Sequence, residues 1–239
     1  MDRNVRLVAF GLLTSALTAC GTSSSSSSLT VKGSATAITS FAALTTAGHG
    51  SPTKLQLDLF AIYVSQNADC TGAVLAGGDE TTAVTKDMFE SPTLFSGNPA
   101  NGTYPCVILK MKDVMTFRSD TTGIDGTNAG CTSTTTDYQF DIHRTGDTAW
   151  KAPDGTSIAG NGDAGATVAD TVYIYASTNP TAVESGTIGA DSSQVVTLTS
   201  PLVVPSTVTL HVDSTDAVAN HNNGSSDFCW LEKATFGFK

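Results

Sequence analysis

The sequence predicts an all-β fold: an antiparallel β-sandwich made by a single domain and stapled by disulfides. Three observations carry that expectation. Apolar residues recur at every second position through most of the chain, the segments between them are rich in Gly, Asn and Asp turn signals, and no window sustains the three-and-four spacing of an amphipathic helix.

The strands follow in order. Leu55, Leu57 and Leu59 alternate with Gln56 and Asp58, and the continuation through Phe60, Ile62, Tyr63 and Val64 reads as buried on both faces, which predicts a central strand. Lys86 to Glu90 has room for one helical turn and nothing longer. Val107, Leu109 and Met111 alternate with Lys110 and Lys112 until Asp113-Val114 breaks the phase, as a bulge or turn does. Tyr138, Phe140 and Ile142 then face one way, with Asp137, Gln139, Asp141 and His143 on the other, solvated side. Val172 to Tyr175, Val195 to Leu198, Leu202 to Val204 and the Val208, Leu210, Val212 alternation add further strands. A last strand is expected from Phe228 to Phe238, with Trp230, Ala234, Phe236 and Phe238 on its core face.

Between the strands lie Gly77-Gly78-Asp79, Gly97-Asn98-Pro99, Asn101-Gly102, Asp125-Gly126, Pro153-Asp154-Gly155 and Asn161-Gly162-Asp163, all turn signals. This pattern argues for a sandwich or a related barrel. Immunoglobulin-like and transthyretin-like topologies both stay open, although neither Trp150 nor Trp230 lies between cysteines in the immunoglobulin order.

Composition excludes one class of partner. The 239 residues include 22 acids and 12 bases, a net charge of −10, without the basic footprint that a nucleic-acid binder needs. Charged residues are only 14% of the chain, while 37 Thr and 25 Ser make a hydroxyl-rich, weakly charged surface.

The N-terminus reads as an export signal: Arg3 and Arg6 precede an apolar run from Val8 to Leu17 that is too short to cross a bilayer as a helix. That run ends in Leu17-Thr18-Ala19-Cys20, which resembles the lipobox of bacterial lipoproteins. The resemblance implies that residues 1–19 are removed and that Cys20 becomes an acylated first residue carrying a diacylglyceryl group. It implies a membrane partner through the lipid, and Gly21 after the cysteine implies the outer membrane in a diderm cell. Residues 20–28 would then be a Ser-rich tether and 29–239 the folded domain. Further along, Gly102-Thr103-Tyr104-Pro105-Cys106-Val107 and the closing Cys229-Trp230-Leu231 through Phe236-Gly237-Phe238 resemble uncharacterised envelope lipoproteins with a β-sandwich body. No activity comes with that likeness.

With Cys20 assigned to lipid, Cys70, Cys106, Cys131 and Cys229 remain, an even number in an exported chain, which predicts two disulfides among three connectivities. Cys70 with Cys106 and Cys131 with Cys229 is the favoured pairing. No two of the four lie within four residues, so none resembles a zinc knuckle.

Candidates for chemistry are sparse. Asp141 with His143, and His211 with Asp213, lie two apart on strands, about 6.6 Å along one face, and are expected to decorate a polar outer surface. No Gly-x-Ser-x-Gly elbow accompanies them, and Asp137 and Asp141, about 13 Å apart along a strand, are too distant for a glycosidase pair. The acidic stretch Asp213, Asp216, Asn220, Asn222, Asn223, Asp227 is the best place for calcium, ahead of Asp120 with Asp125 or Asp163 with Asp170, though its spacing fits no calcium loop. Phe236 and Phe238 read as core. Trp150, beside a turn, either caps the core or stands exposed for sugar or protein contacts. No catalytic, cofactor or metal residue is assigned. The expected role is a non-enzymatic structural, adhesive or binding module with a protein or glycan ligand. The alternatives are a hydrolase of envelope or extracellular polymers and a calcium- or glycan-binding module.

Overall fold

The computed structural model describes residues 27–36, 49–120, 131, 133–143, 150–160, 170–214, 217–222, 227–231 and 235–238. The export signal, Cys20, and Asp125, Asp163, Asp216 and Asn223 of the calcium candidates lie outside the described residues. In chain order the strands are β1 (Leu29–Thr36), β2 (His49–Gly50), β3 (Pro52–Ser65), β4 (Val74–Gly78), β5 (Val84–Asp87), β6 (Thr93–Gly97), β7 (Gly102–Tyr104), β8 (Cys106–Lys112) and β9 (Val114–Ser119). After them come β10 (Tyr138–Asp141), β11 (Thr171–Ser177), helix α1 (Pro180–Ser185), β12 (Val195–Thr197), β13 (Leu202–Val204), β14 (Ser206–Asp213), β15 (Val218–Asn222), β16 (Asp227–Leu231) and β17 (Thr235–Phe238).

The chain is all-β in plan and forms several sheets. Four strands order as β17-β14-β1-β6, and a larger sheet runs β10-β9-β3-β8-β11-β12 with β4 and β5 also on β3. Two small sheets, β13-β7 and β16-β15-β2, complete the set among the described residues. Most neighbours are antiparallel, but β1 runs parallel to β14 and β11 parallel to β12, which corrects the uniformly antiparallel expectation. Parallel neighbours need a long connection, and between β11 and β12 that connection carries α1. The helix starts on Asn179, whose side chain accepts from the Ala182 amide, with Pro180 in its first turn.

β3 is the central strand the sequence predicts. Leu55, Leu57 and Leu59 point into the core, a register shift between Leu59 and Ala61 advances the phase, and Ile62 and Val64 then share their face. β8 and β9 form one kinked line along a single edge of β3, with Asp113 at the kink. On the far edge of that line, β10 pairs with β9 and β11 with β8. β10 and β11 therefore lie end to end and meet at Asp113.

One apolar cluster joins the two larger sheets. Leu29, Val31, Leu210 and Val212 from the four-stranded sheet pack with Leu55, Leu57, Leu109, Met111, Phe117 and Ile174 from the other. A second cluster of Cys70, Cys106, Ile108, Tyr175 and Val183 fills the opposite face of β8 and β11, under α1. Central strands buried on both faces account for the continuous apolar run Cys-Val-Ile-Leu in β8.

The disulfides are Cys70–Cys106, with Cα atoms 5.4 Å apart, and Cys131–Cys229, with Cα atoms 4.5 Å apart. Two glycine segments read from sequence as turns are strand ends instead. A Cβ on Gly97 would sit 1.7 Å from the Ala76 carbonyl oxygen, and one on Gly77 would sit 3.1 Å from the Ser96 oxygen. Bare backbone lets β4 and β6, which belong to different sheets, approach this closely. The strand expected from Phe228 to Phe238 is likewise two strands, because β16 pairs with β15 while β17 pairs with β14.

Candidate functional site

The strongest concentration of polar chemistry lies at the joint between β10 and β11. Asp113 splices it: its amide donates to the Asp170 carbonyl at 3.2 Å, its carbonyl accepts from the Ile142 amide at 3.2 Å, and its carboxylate Oδ1 accepts from the Asp170 amide at 2.7 Å. The side chains gathered there are Asp113, Asp141, His143 and Asp170, and the first three are fully buried. The His143 amide donates to Asp141 Oδ1 at 2.9 Å, and the His143 ring stacks on Trp150 with centroids 4.8 Å apart and planes 16° from parallel.

This arrangement corrects one expectation and decides between two readings of another. Asp141 and His143 do not decorate a solvated face; they turn inward because the kink at Asp113 offers them polar partners at the junction of two strands. Trp150 is the cap, 6% exposed, with its indole Nε1 donating to Ser193 Oγ at 2.8 Å. Gln194 holds the same segment by accepting from the Lys151 amide at 2.7 Å and donating to the Lys151 and Tyr173 carbonyls, both at 3.0 Å.

Burial, and then the charge of neighbouring Asp141, push the Asp113 carboxyl well above the usual carboxylate range, and burial pushes Asp141 up as well. A carboxyl with a raised folded-state pKa favours the fold while protonated, and that contribution fades as pH rises from about 4, the unfolded value, toward about 7. In chelator, the melting temperature of the wild type is therefore expected to fall across this window, and that of Asp113→Asn to fall less steeply. Scanning calorimetry at several pH values checks both; parallel profiles would show that the pair is not the source.

Asp113, His143 and Asp170 each offer one ligand atom within 4.8 Å of the others, so these three residues could hold a metal ion. Sequence reasoning marked Asp113 only as a break in phase and Asp170 only as a weak partner of Asp163. The available signal was an acid placed between two alternating runs together with the Asp141-x-His143 pair.

Other sequence candidates are scattered. His211 and Asp213 are half-buried on β14, in a different sheet, opposite Gly237 and Thr235 of β17. Asn220, Asn222 and Asp227 belong to the β15–β16 hairpin, where Asn222 pairs with Asp227, instead of forming a free acidic loop. Asp137 lies in a surface ion pair with Lys54 at 2.6 Å and another with Arg118 at 2.6 Å. Phe238 is core, and Phe236 packs against it half-buried.

Concavities among the described residues open to solvent. A cleft of about 390 Å³ is lined by Tyr63, Glu80, Pro153, Asp154, Tyr173 and the Cys70 end of the first disulfide. Tyr63 donates to Glu80 Oε1 at 2.7 Å, and Lys110 Nζ donates to the Glu80 carbonyl at 2.7 Å while lying 5.9 Å from the Tyr173 ring centre. The turn beside Trp150 thus does face a cleft, but its aromatics are Tyr63 and Tyr173. A smaller, more apolar cavity of about 230 Å³ lies among Val107, Leu198, Leu202, Val208 and Phe238.

Set against protein families, curated proteins and solved structures, the chain matches none of them.

Proposed function

We propose that this chain is a lipid-anchored protein of the bacterial cell envelope, a non-enzymatic binding module whose ligand sits in the cleft between Tyr63 and Tyr173. The observation that carries the anchor is the use of cysteine. Four of the five are committed in pairs within the domain, as export into an oxidising compartment favours, and the fifth is Cys20 of the Leu17-Thr18-Ala19-Cys20 segment. Several acyl chains at about 0.8 kcal/mol per buried methylene hold such a protein on a membrane without a spanning segment. No described helix is long and apolar enough to cross one. With Gly21 after the cysteine, the outer membrane is the proposed address. The two larger sheets, sharing one core, are read as a single sandwich domain beginning at β1.

The cleft favours a hydroxyl-rich ligand such as a glycan. Tyr63 and Tyr173 supply flat apolar surface with a polar tip, and Glu80 and Asp154 supply exposed carboxylate acceptors beside them.

Two measurements test this reading. Globomycin or Cys20→Ala is expected to yield an unprocessed or unacylated chain that no longer fractionates as the mature lipoprotein; unchanged mass and fractionation would refute the anchor. A glycan panel probed with the detergent-solubilised full chain is expected to show binding that Tyr173→Ala weakens about tenfold, or 1.4 kcal/mol. Binding that ignores the substitution moves the site elsewhere, and turnover of a bound polymer would replace the binding module with a hydrolase.

A further inference from the structure

We propose that Asp113, His143 and Asp170 form a binding site for a divalent transition-metal cation that clamps the joint between β10 and β11. The proposal is independent of the lipid anchor and of the tyrosine cleft. Its first support is geometric. One ligand atom from each residue lies within 4.8 Å of the other two. Tetrahedral donors at about 2.1 Å from an ion are about 3.4 Å apart, so the three side chains must draw in by up to about 1.4 Å to share one.

A second, separate observation points to a ligand. Asp113 is fully buried, and its Oδ2 receives no hydrogen bond from any described residue. A carboxylate oxygen buried without a donor is costly, and here its charged neighbour is another acid, Asp141. A proton shared with Asp141, or a bound cation, would relieve that cost at Asp113.

The donor set favours a cation of a particular kind. An imidazole among carboxylates suits zinc and similar transition ions, whereas calcium and magnesium prefer oxygen alone. The scaffold is prepared for such an ion. Trp150 stacked on the imidazole fixes the His143 ring, and the backbone bonds between Asp113 and Asp170 fix the two carboxylates across the strand junction. Asp113 and His143 are shielded from solvent at the strand joint, so the first effect of the ion would be to hold that structure together.

The test uses the tag-free full chain in detergent, stripped by chelator and titrated with Zn²⁺, Co²⁺ and Ca²⁺ under calorimetry, with metal content measured by mass spectrometry. The expected result is about one Zn²⁺ or Co²⁺ per chain, weak or no Ca²⁺ binding, and a higher melting temperature in the loaded form. His143→Gln and Asp170→Asn are expected to weaken Zn²⁺ binding at least tenfold while keeping the wild-type circular dichroism. Should both variants misfold, the wild-type Co²⁺ complex decides: a visible d–d band typical of nitrogen and oxygen ligands supports the site, and its absence overturns it. No retained transition metal, preference for Ca²⁺, or undiminished affinity in folded variants would each overturn the proposal, the first leaving the shared proton as occupant.

Discussion

Replacing Cys131 and Cys229 together by alanine is expected to lower the unfolding free energy by about 5 kcal/mol. The bond closes a loop of sequence separation 98, and the chain-entropy cost it spares the folded protein grows with the logarithm of that length. Cys70–Cys106 closes a shorter loop, separation 36, for which the same relation gives about 4 kcal/mol. The longer staple also ties Cys131, in the segment before β10, to β16 of the small three-stranded sheet. Domains of ordinary size have only about 5 to 15 kcal/mol of stability in all, so either loss brings this one near its threshold. Urea denaturation of the two double variants checks the size and the order; a larger loss from the shorter loop would contradict the entropic account.

The second large effect is expected from Gly97→Ala. No rotamer relieves a methyl group placed 1.7 Å from the Ala76 carbonyl oxygen, since both contacting atoms belong to backbone. Either β4 or β6 must move, and each belongs to a sheet whose inner face lines the shared core, so the cost is about 3 kcal/mol or more. Gly237→Ala is the control, because nothing lies within 4 Å of the position its Cβ would take. Thermal unfolding of the two variants should separate them clearly; equal melting temperatures would mean that β4 and β6 do not touch as described.

These glycines also show where the sequence was hard to read. β3, β8 and β14 are legible because large apolar residues alternate along them, and that spacing has one physical meaning on a pleated strand. β1 carries no comparable signal, because two of its inward positions are Gly33 and Ala35, and a Cβ on Gly33 would already press on Leu94 at 2.9 Å. β4 and β6 end in glycines that local propensity assigns to turns, and only the close approach of these two strands, Gly97 to Ala76 and Gly77 to Ser96, explains them.

The buried cluster was illegible for a different reason. Alternation and polarity assigned Asp137, Gln139, Asp141 and His143 to water, which holds for Asp137 and Gln139 and fails at the end of β10 for Asp141 and His143. Burial there comes from the neighbours, Asp113 at the kink and Asp170 at the head of β11, the latter drawn in from about thirty positions away. Cysteine count, by contrast, limited the pairing to three choices, because oxidation leaves an exported domain few alternatives.

The position of β1 has a mechanical consequence. It lies between β14 and β6, and the carbonyl of Ser28, just before its first residue, accepts from the Ser206 amide. Any pull that reaches the domain from its N-terminal side enters along the axis of this strand, whose eight residues from Leu29 to Thr36 are all in register with β14. Force in that direction loads the whole ladder in shear, so the bonds must fail together and cannot be peeled one by one.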